Sequence, residues 1–308
     1  MAAMIDLHTH STASDGTLSP RELVELASRQ GITGLALTDH DTTSGLEEAN
    51  AAAKQLEVVF VPGVEVSAQI ERGALHILGL HIDHQNQDLR DLLDWLIAAR
   101  EERNHQLLQK LGDLGVPLTL EEVLEVAGTG TTGRPHIAQA MVQKGYVKNQ
   151  QAAFKKYLGS RGSAHVPRRK PTMSRAIGAI RNAGGVPILA HPDQTRKTGR
   201  ELERFVGELR DSGLAGIEVY YSGYTQAQIW EYKSLAQTYN LVLSGGSDFH
   251  GAIKPGIQLG RGPGALYVPD SLLEPLALRA REIRRAREIR KNERDPQGGP
   301  PAVPSSQT

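Results

Sequence analysis

Short apolar runs alternate with longer amphipathic stretches over most of the chain. Seven runs read as strands: residues 4–7, 34–37, 58–61, 75–80, 186–189, 216–220 and 241–243. Helical signals separate most of them. Ser19 and Glu22 form a capping box with Pro20 at the first helical position, and that helix stops near Gly31. Ser44 and Glu47 repeat the signal ahead of an alanine-rich helix. Thr172 opens another helix, closed by Gly184 and Gly185, and residues 226–239 supply one more. Strands alternating with helices predict a parallel β/α sheet or barrel.

Residues 91–169 break the rhythm, because no strand pattern occurs there. Leu92, Leu93, Leu96, Leu107, Leu108 and Leu111 set the stripe of a long amphipathic helix, and shorter helices are expected at 120–126, 135–144 and 151–157. The expected organisation is a discontinuous barrel (1–90 and 170–278) carrying a helical insertion (91–169). An insertion beside a barrel mouth commonly acts as a lid that selects substrates. Residues 279–308 change character again. Arg279-Ala-Arg-Glu-Ile-Arg284 is followed at once by its copy, Arg285 to Arg290, and a Pro/Gly/Ser tail begins at Pro296. A charged, solvated helix and a disordered tail are expected, with a nucleic-acid contact as the second reading of the repeat.

Composition narrows the function. The 308 residues, 39% of them hydrophobic, are ample for a sizeable core. Lys and Arg total 35 and Asp and Glu total 35, so any anionic substrate must be held by local charge rather than by a global field. The absence of cysteine excludes disulfides, thiolate zinc sites and cysteine nucleophiles. Neither a signal peptide nor a membrane span is apparent, so a cytoplasmic protein is expected.

The chemistry lies where histidines and acids fall. The first strand leads into His8, His10 and Asp15, the second into Asp39 and His40, and the third into Glu65. The fourth region contains His76, the fifth strand ends at His191, and the seventh leads into Asp248 and His250. Strand ends of a β/α barrel share one mouth. The two histidines of His8-Thr9-His10 point the same way on a strand. Imidazole with carboxylate suits zinc, manganese or iron, and nine donors exceed what one ion needs, so two or three divalent ions are expected.

These motifs resemble the PHP (polymerase and histidinol phosphatase) family: His8-Thr9-His10, Thr38-Asp39-His40 with Asp41-Thr42-Thr43, Glu65, His76, Ala190-His191-Pro192 and Ser247-Asp248-Phe249-His250. The resemblance implies a distorted (β/α)7 barrel around two or three metals. By position, His8, His10, Glu65 and Asp248 would hold one ion, Glu65, His76 and His191 a second, and Asp15, His40 and His250 a third. Within the family the chain is similar to the subgroup with a helical insertion, through residues 133–138, 144–146, 154–159 and 166–168. That likeness implies a nucleotide phosphoesterase acting on nucleoside 5′-monophosphates or 3′,5′-bisphosphates, with 5′-3′ exoribonuclease activity as an extension. A hydroxide bridging the ions on Glu65 would attack phosphorus in line. Arg134 and Arg168 are expected to grip phosphate in two places, with His136 as a further substrate contact. Asp39 has two readings, a carboxylate that orients a ligand or moves a proton, and a turn residue. The alternatives in function are a histidinol-phosphate phosphatase and a nucleic-acid-binding or editing module. Oligomeric state is not legible.

Overall fold

The computed structural model describes residues 4–128, 132–263 and 266–294. Seven strands form one sheet in sequence order: β1 (Met4–Asp6), β2 (Ile32–Leu37), β3 (Val59–Ala68), β4 (Leu75–Leu80), β5 (Val186–Leu189), β6 (Gly216–Tyr221) and β7 (Val242–Gly246). The sheet curls until its edges meet. The Leu7 amide donates to the Gly245 carbonyl at 3.1 Å, and the Asp248 amide donates to the His8 carbonyl at 2.8 Å. A Cβ on Gly246 would lie 2.4 Å from the His8 backbone nitrogen, so this seam closes only around a residue without a side chain.

Pairing is parallel except around β4, which runs antiparallel to both β3 and β5. This corrects the all-parallel expectation. Only residues 69–74 join β3 to β4, too few for a crossover helix, so the chain must double back. The reversal also lengthens β3 well past the expected 58–61, because Gly63–Ala68 pairs with Leu80–Leu75. His76 therefore sits at the start of its strand and still lies at the mouth.

The helices are α1 (Pro20–Arg29), α2 (Leu46–Gln55), α3 (Gln87–Asp113), α4 (Leu120–Ala127), α5 (Arg134–Gln143), α6 (Gln150–Ala153), α7 (Met173–Asn182), α8 (Gly199–Asp211), α9 (Gln226–Thr238) and α10 (Leu273–Arg294). Ser19 and Glu22 make the expected reciprocal capping bonds. The second capping expectation fails, since α2 starts behind Gly45 with no side-chain cap and Ser44 hydrogen-bonds Thr42 instead.

α3 runs about 40 Å at its 27 residues. Its first half, Leu89 to Leu96, packs on the barrel's outer core. Its second half, Leu107 to Leu111, joins Val123, Ile137, Met141, Leu158 and Val166 in a separate hydrophobic cluster. The barrel interior is filled by Ile5, Leu7, Val61, Leu78, Leu80 and Ile188, and α10 seals its lower end with Leu276, Ala280 and Ile283. The first copy of the arginine repeat is thus half embedded, not wholly solvated. The tail expected to be disordered lies outside the described residues.

Candidate metal centre

Glu65 is the hub of the mouth. It is fully buried in β3, and five imidazole nitrogens surround its carboxylate. His76 Nδ1 and His191 Nε2 approach Oε1 at 2.7 and 2.8 Å. His40 Nδ1, His8 Nε2 and His10 Nε2 approach Oε2 at 3.0, 3.2 and 3.2 Å. Asp248 faces the same group, with Oδ1 at 3.2 Å from His10 Nε2 and 3.6 Å from His8 Nε2. Asp15 lies 3.4 Å from His250 Nε2. All nine residues expected from the sequence are thereby brought together, although residues 8 and 250 are nearly a chain length apart.

Three sets of donors fall within 4.8 Å of one another: His8, His10, Glu65 and Asp248; His10, Asp15, His40 and His250; and His40, Glu65 and His76. The third differs from the expected set in that His40 joins Glu65 and His76, while His191 reaches the same Glu65 oxygen as His76. Metal–ligand bonds of about 2.1 Å place neighbouring donors roughly 3.0–3.4 Å apart, which is the spacing seen here. Nitrogens of His10 (both), His40 (Nδ1) and His191 (Nδ1) make no hydrogen bond among the described residues, although His40 Nδ1 and His10 Nε2 lie close to carboxylate oxygens in poor hydrogen-bond alignment. Unpaired donors packed this densely fit divalent cations.

The electrostatics agree. Burial alone would lower the His10 pKa, but Asp248 and Glu65 outweigh it and raise the value to about 9. Burial would likewise raise Glu65, yet His40, His76 and His8 hold it well below the usual carboxylate range. The pocket therefore demands positive charge between its carboxylates, which a metal ion supplies in place of protons. Local backbone supports the geometry. Asp41, His191 and Asp248 adopt positive φ of 58, 26 and 56°, a conformation that costs on the order of 1–3 kcal/mol and recurs at functional sites.

Residues not singled out from the sequence hold the side chains of the mouth in place. Glu218, buried in β6, binds His8 Nδ1 at 2.9 Å and accepts the His191 amide at 2.7 Å. It is the carboxylate–histidine arrangement that sets ring orientation at metal sites. The Tyr221 hydroxyl and the Lys254 ammonium donate to Asp248 Oδ2 at 2.8 and 2.7 Å. Asp6 accepts from the Ser247 amide and hydroxyl at 2.9 and 2.5 Å, anchoring the loop that carries Asp248. Asp39 plays a similar part, since its oxygens take the Ser11 amide, the Ser11 hydroxyl and the Ser14 hydroxyl at 2.8, 2.7 and 2.6 Å. It braces the loop leading to Asp15.

The PHP domain model matches residues 6–158. A 5′-3′ exoribonuclease of Haemophilus influenzae is 39% identical over 81% of this chain and 91% of its own length. The chain belongs to the PHP family. A 3′,5′-nucleoside bisphosphate phosphatase of Chromobacterium violaceum is 34% identical to this PHP protein, over 84% of the chain and 91% of the relative. A solved structure from Bifidobacterium adolescentis, described as a metal-dependent phosphoesterase, superposes with a TM-score of 0.81 at 31% identity, covering 91% of this chain and 97% of that one. The chain is a PHP phosphoesterase with a (β/α)7-type barrel and a metal-dependent site.

Beside the PHP site, along α3, the start of α5 and residues 168–170, lies a cluster of cations, partly buried except for the buried Arg103. Arg100 Nη2 and Arg168 Nη1 both reach Asp41 Oδ2, at 2.5 and 2.8 Å. Arg134 donates to the Leu158 carbonyl at 3.2 Å and lies 6.0 Å from the Phe154 ring centroid. Arg103 is only 5% exposed, and its Nε has no partner among the described residues. Burial, with the positive charges of Arg134, Arg100 and Arg168, lowers the Arg103 pKa to about 9. Burial and the Arg168 charge bring Lys170 down to about 8. Asp41 is the carboxylate that offsets these cations. His136 accepts the Gly133 amide at 3.1 Å, capping α5, and lines a cleft of about 790 Å³ with Thr12, Thr17, Gln139 and Gln150. Among the described residues no helix is long and apolar enough to cross a membrane.

Proposed function

We propose that this PHP phosphoesterase hydrolyses phosphate monoesters of nucleotides, nucleoside 5′-monophosphates or 3′,5′-bisphosphates, and that it also trims RNA from the 5′ end. The observation that carries the reading is the cluster of Arg100, Arg103, Arg134, Arg168 and Lys170 beside the Glu65 hub. Burying several cations against one carboxylate is costly unless an anion completes the set. Relatives named as a bisphosphate phosphatase and an exoribonuclease point to a nucleotide phosphate as that anion.

In this reading His8, His10, Asp15, His40, Glu65, His76, His191, Asp248 and His250 hold two or three divalent ions, of manganese, zinc or iron. Such ions supply Lewis acidity toward the phosphoryl oxygens and bring the pKa of bound water to about 7. The chain's own residues do the rest. Arg134 and Arg168 grip non-bridging oxygens, and a planar guanidinium contacts two at once. Fixing these donors before substrate arrives removes reorganisation from the barrier. Glu218, Tyr221 and Lys254 prevent the ligands from turning away. The helical segment 91–169 acts as the lid, with His136 and the cleft beside α5 receiving the nucleoside.

A substrate panel with added manganese, zinc or iron tests this. AMP or 3′-phosphoadenosine 5′-phosphate is expected to turn over, histidinol phosphate to be far slower, and Asp248→Ala to lose nearly all activity with an unchanged circular dichroism spectrum. Preference for histidinol phosphate, or full turnover by Asp248→Ala, would overturn the proposal.

A further inference from the structure

The barrel face opposite the metal centre carries a second basic surface. There α10 lies beside α7, and between them opens a cavity of about 480 Å³ lined by Arg181, Asn182, Ser212, Arg287, Arg290 and Lys291. An adjoining cavity of about 490 Å³ adds Arg210 and Arg279. The spacing 283, 287, 290 and 291 puts these α10 residues on one helical face, with Ile283 anchoring that face in the barrel. Some of these cations are paired and three are not. Arg279 pairs with Glu282 at 3.0 Å and Arg210 with Asp211 at 3.4 Å, whereas Arg287, Arg290 and Lys291 enter no salt bridge among the described residues. Arg181 donates to the Gly213 carbonyl at 3.0 Å, which holds its guanidinium in the groove. In a chain of zero net charge, this concentration is a local asymmetry.

We propose that the groove binds the sugar–phosphate backbone of single-stranded RNA whose 5′ end lies at the metal centre. The inference rests on the nucleotide-phosphoesterase reading, because only a polymeric substrate can touch both faces at once. A file of phosphates can enter a concave row of cations, while a planar bilayer cannot. The contacts are to backbone, so binding is independent of base sequence and strongly salt-dependent. Six-residue strands separate the faces by about 20 Å, so a mononucleotide held at the metal centre does not span to the groove.

The metal-loaded enzyme and its Arg287→Ala/Arg290→Ala/Lys291→Ala variant are compared by fluorescence anisotropy with a 5′-phosphorylated, phosphorothioate-protected oligoribonucleotide. The variant is expected to bind at least about ten-fold more weakly, and its slope of log K against log salt is expected to fall by about two, as for three lost single-strand phosphate contacts. AMP hydrolysis stays at the wild-type rate. Unchanged affinity and slope would overturn the proposal. So would binding of phosphatidylserine vesicles with no binding of RNA, which assigns the surface to a membrane. A wild-type enzyme that hydrolyses no nucleotide strikes the functional reading instead, since RNA binding is measured without turnover.

Discussion

At the residue scale, the decisive side chains are those that act on other side chains. Glu218 touches His8 and the His191 amide, so it governs two donors at once. Glu218→Gln is expected to weaken metal binding about 10- to 100-fold, read by calorimetric titration of the metal-free protein with manganese; an unaltered isotherm would reduce Glu218 to a packing residue. Lys170 gives a pH signature. Burial and the Arg168 charge lower its pKa to about 8, so it is charged below that pH and neutral above it. A neutral Lys170 attracts phosphate less, so kcat/KM is expected to fall as pH rises through about 8. Lys170→Arg, whose charge persists, should shift that limb upward, and an identical alkaline limb in both enzymes would remove Lys170 from substrate binding. That these nine residues converge was legible, because most of them sit in or just after a strand in a recognisable motif. Glu218 was legible in principle as an acid inside an apolar strand. Arg103 was too, as an arginine on the stripe that otherwise reads Leu96, Leu107 and Leu111.

At the element scale, pattern reading succeeded where an element's partner is solvent on one side and core on the other. It failed where a partner decides the outcome. β4 looks like any other apolar run, and only the six-residue connection to β3 betrays that it must turn back. α8 was missed although Leu202, Phe205, Val206 and Leu209 carry its period, because charged residues fill the remaining positions. α10 repeats one motif twice, yet its copies meet different surroundings. Ile283 of the first copy is 5% exposed and its counterpart Ile289 in the second is 51% exposed, while Leu276, ahead of the repeat, is fully buried. Leu276→Ala is expected to cost about 2–5 kcal/mol in urea unfolding, whereas Ile289→Ala should stay within about 0.5 kcal/mol. Equal effects would contradict the sealing role of α10.

At the scale of the whole molecule, the metal centre and the fold depend on each other. The nine residues of the mouth come from six strands or the loops after them, so ions held there would clamp the barrel shut. Ligands that bind only the folded state stabilise it by mass action, by about 4 kcal/mol at a thousand-fold excess over Kd. Dialysis against a chelator is therefore expected to abolish activity and lower the thermal midpoint, with both restored by manganese. A midpoint indifferent to chelation would mean the donors stand in place without ions.

The seam between β1 and β7 has a consequence for how the enzyme comes into being. His8, His10, Asp15, His40, Glu65 and His76 leave the ribosome early, while His191, Asp248 and His250 follow late. The growing polypeptide thus displays most of the imidazoles of the mouth long before Asp248, the carboxylate that faces His8 and His10. A set of donors drawn from both ends of the polypeptide can close only after its C-terminal third has emerged.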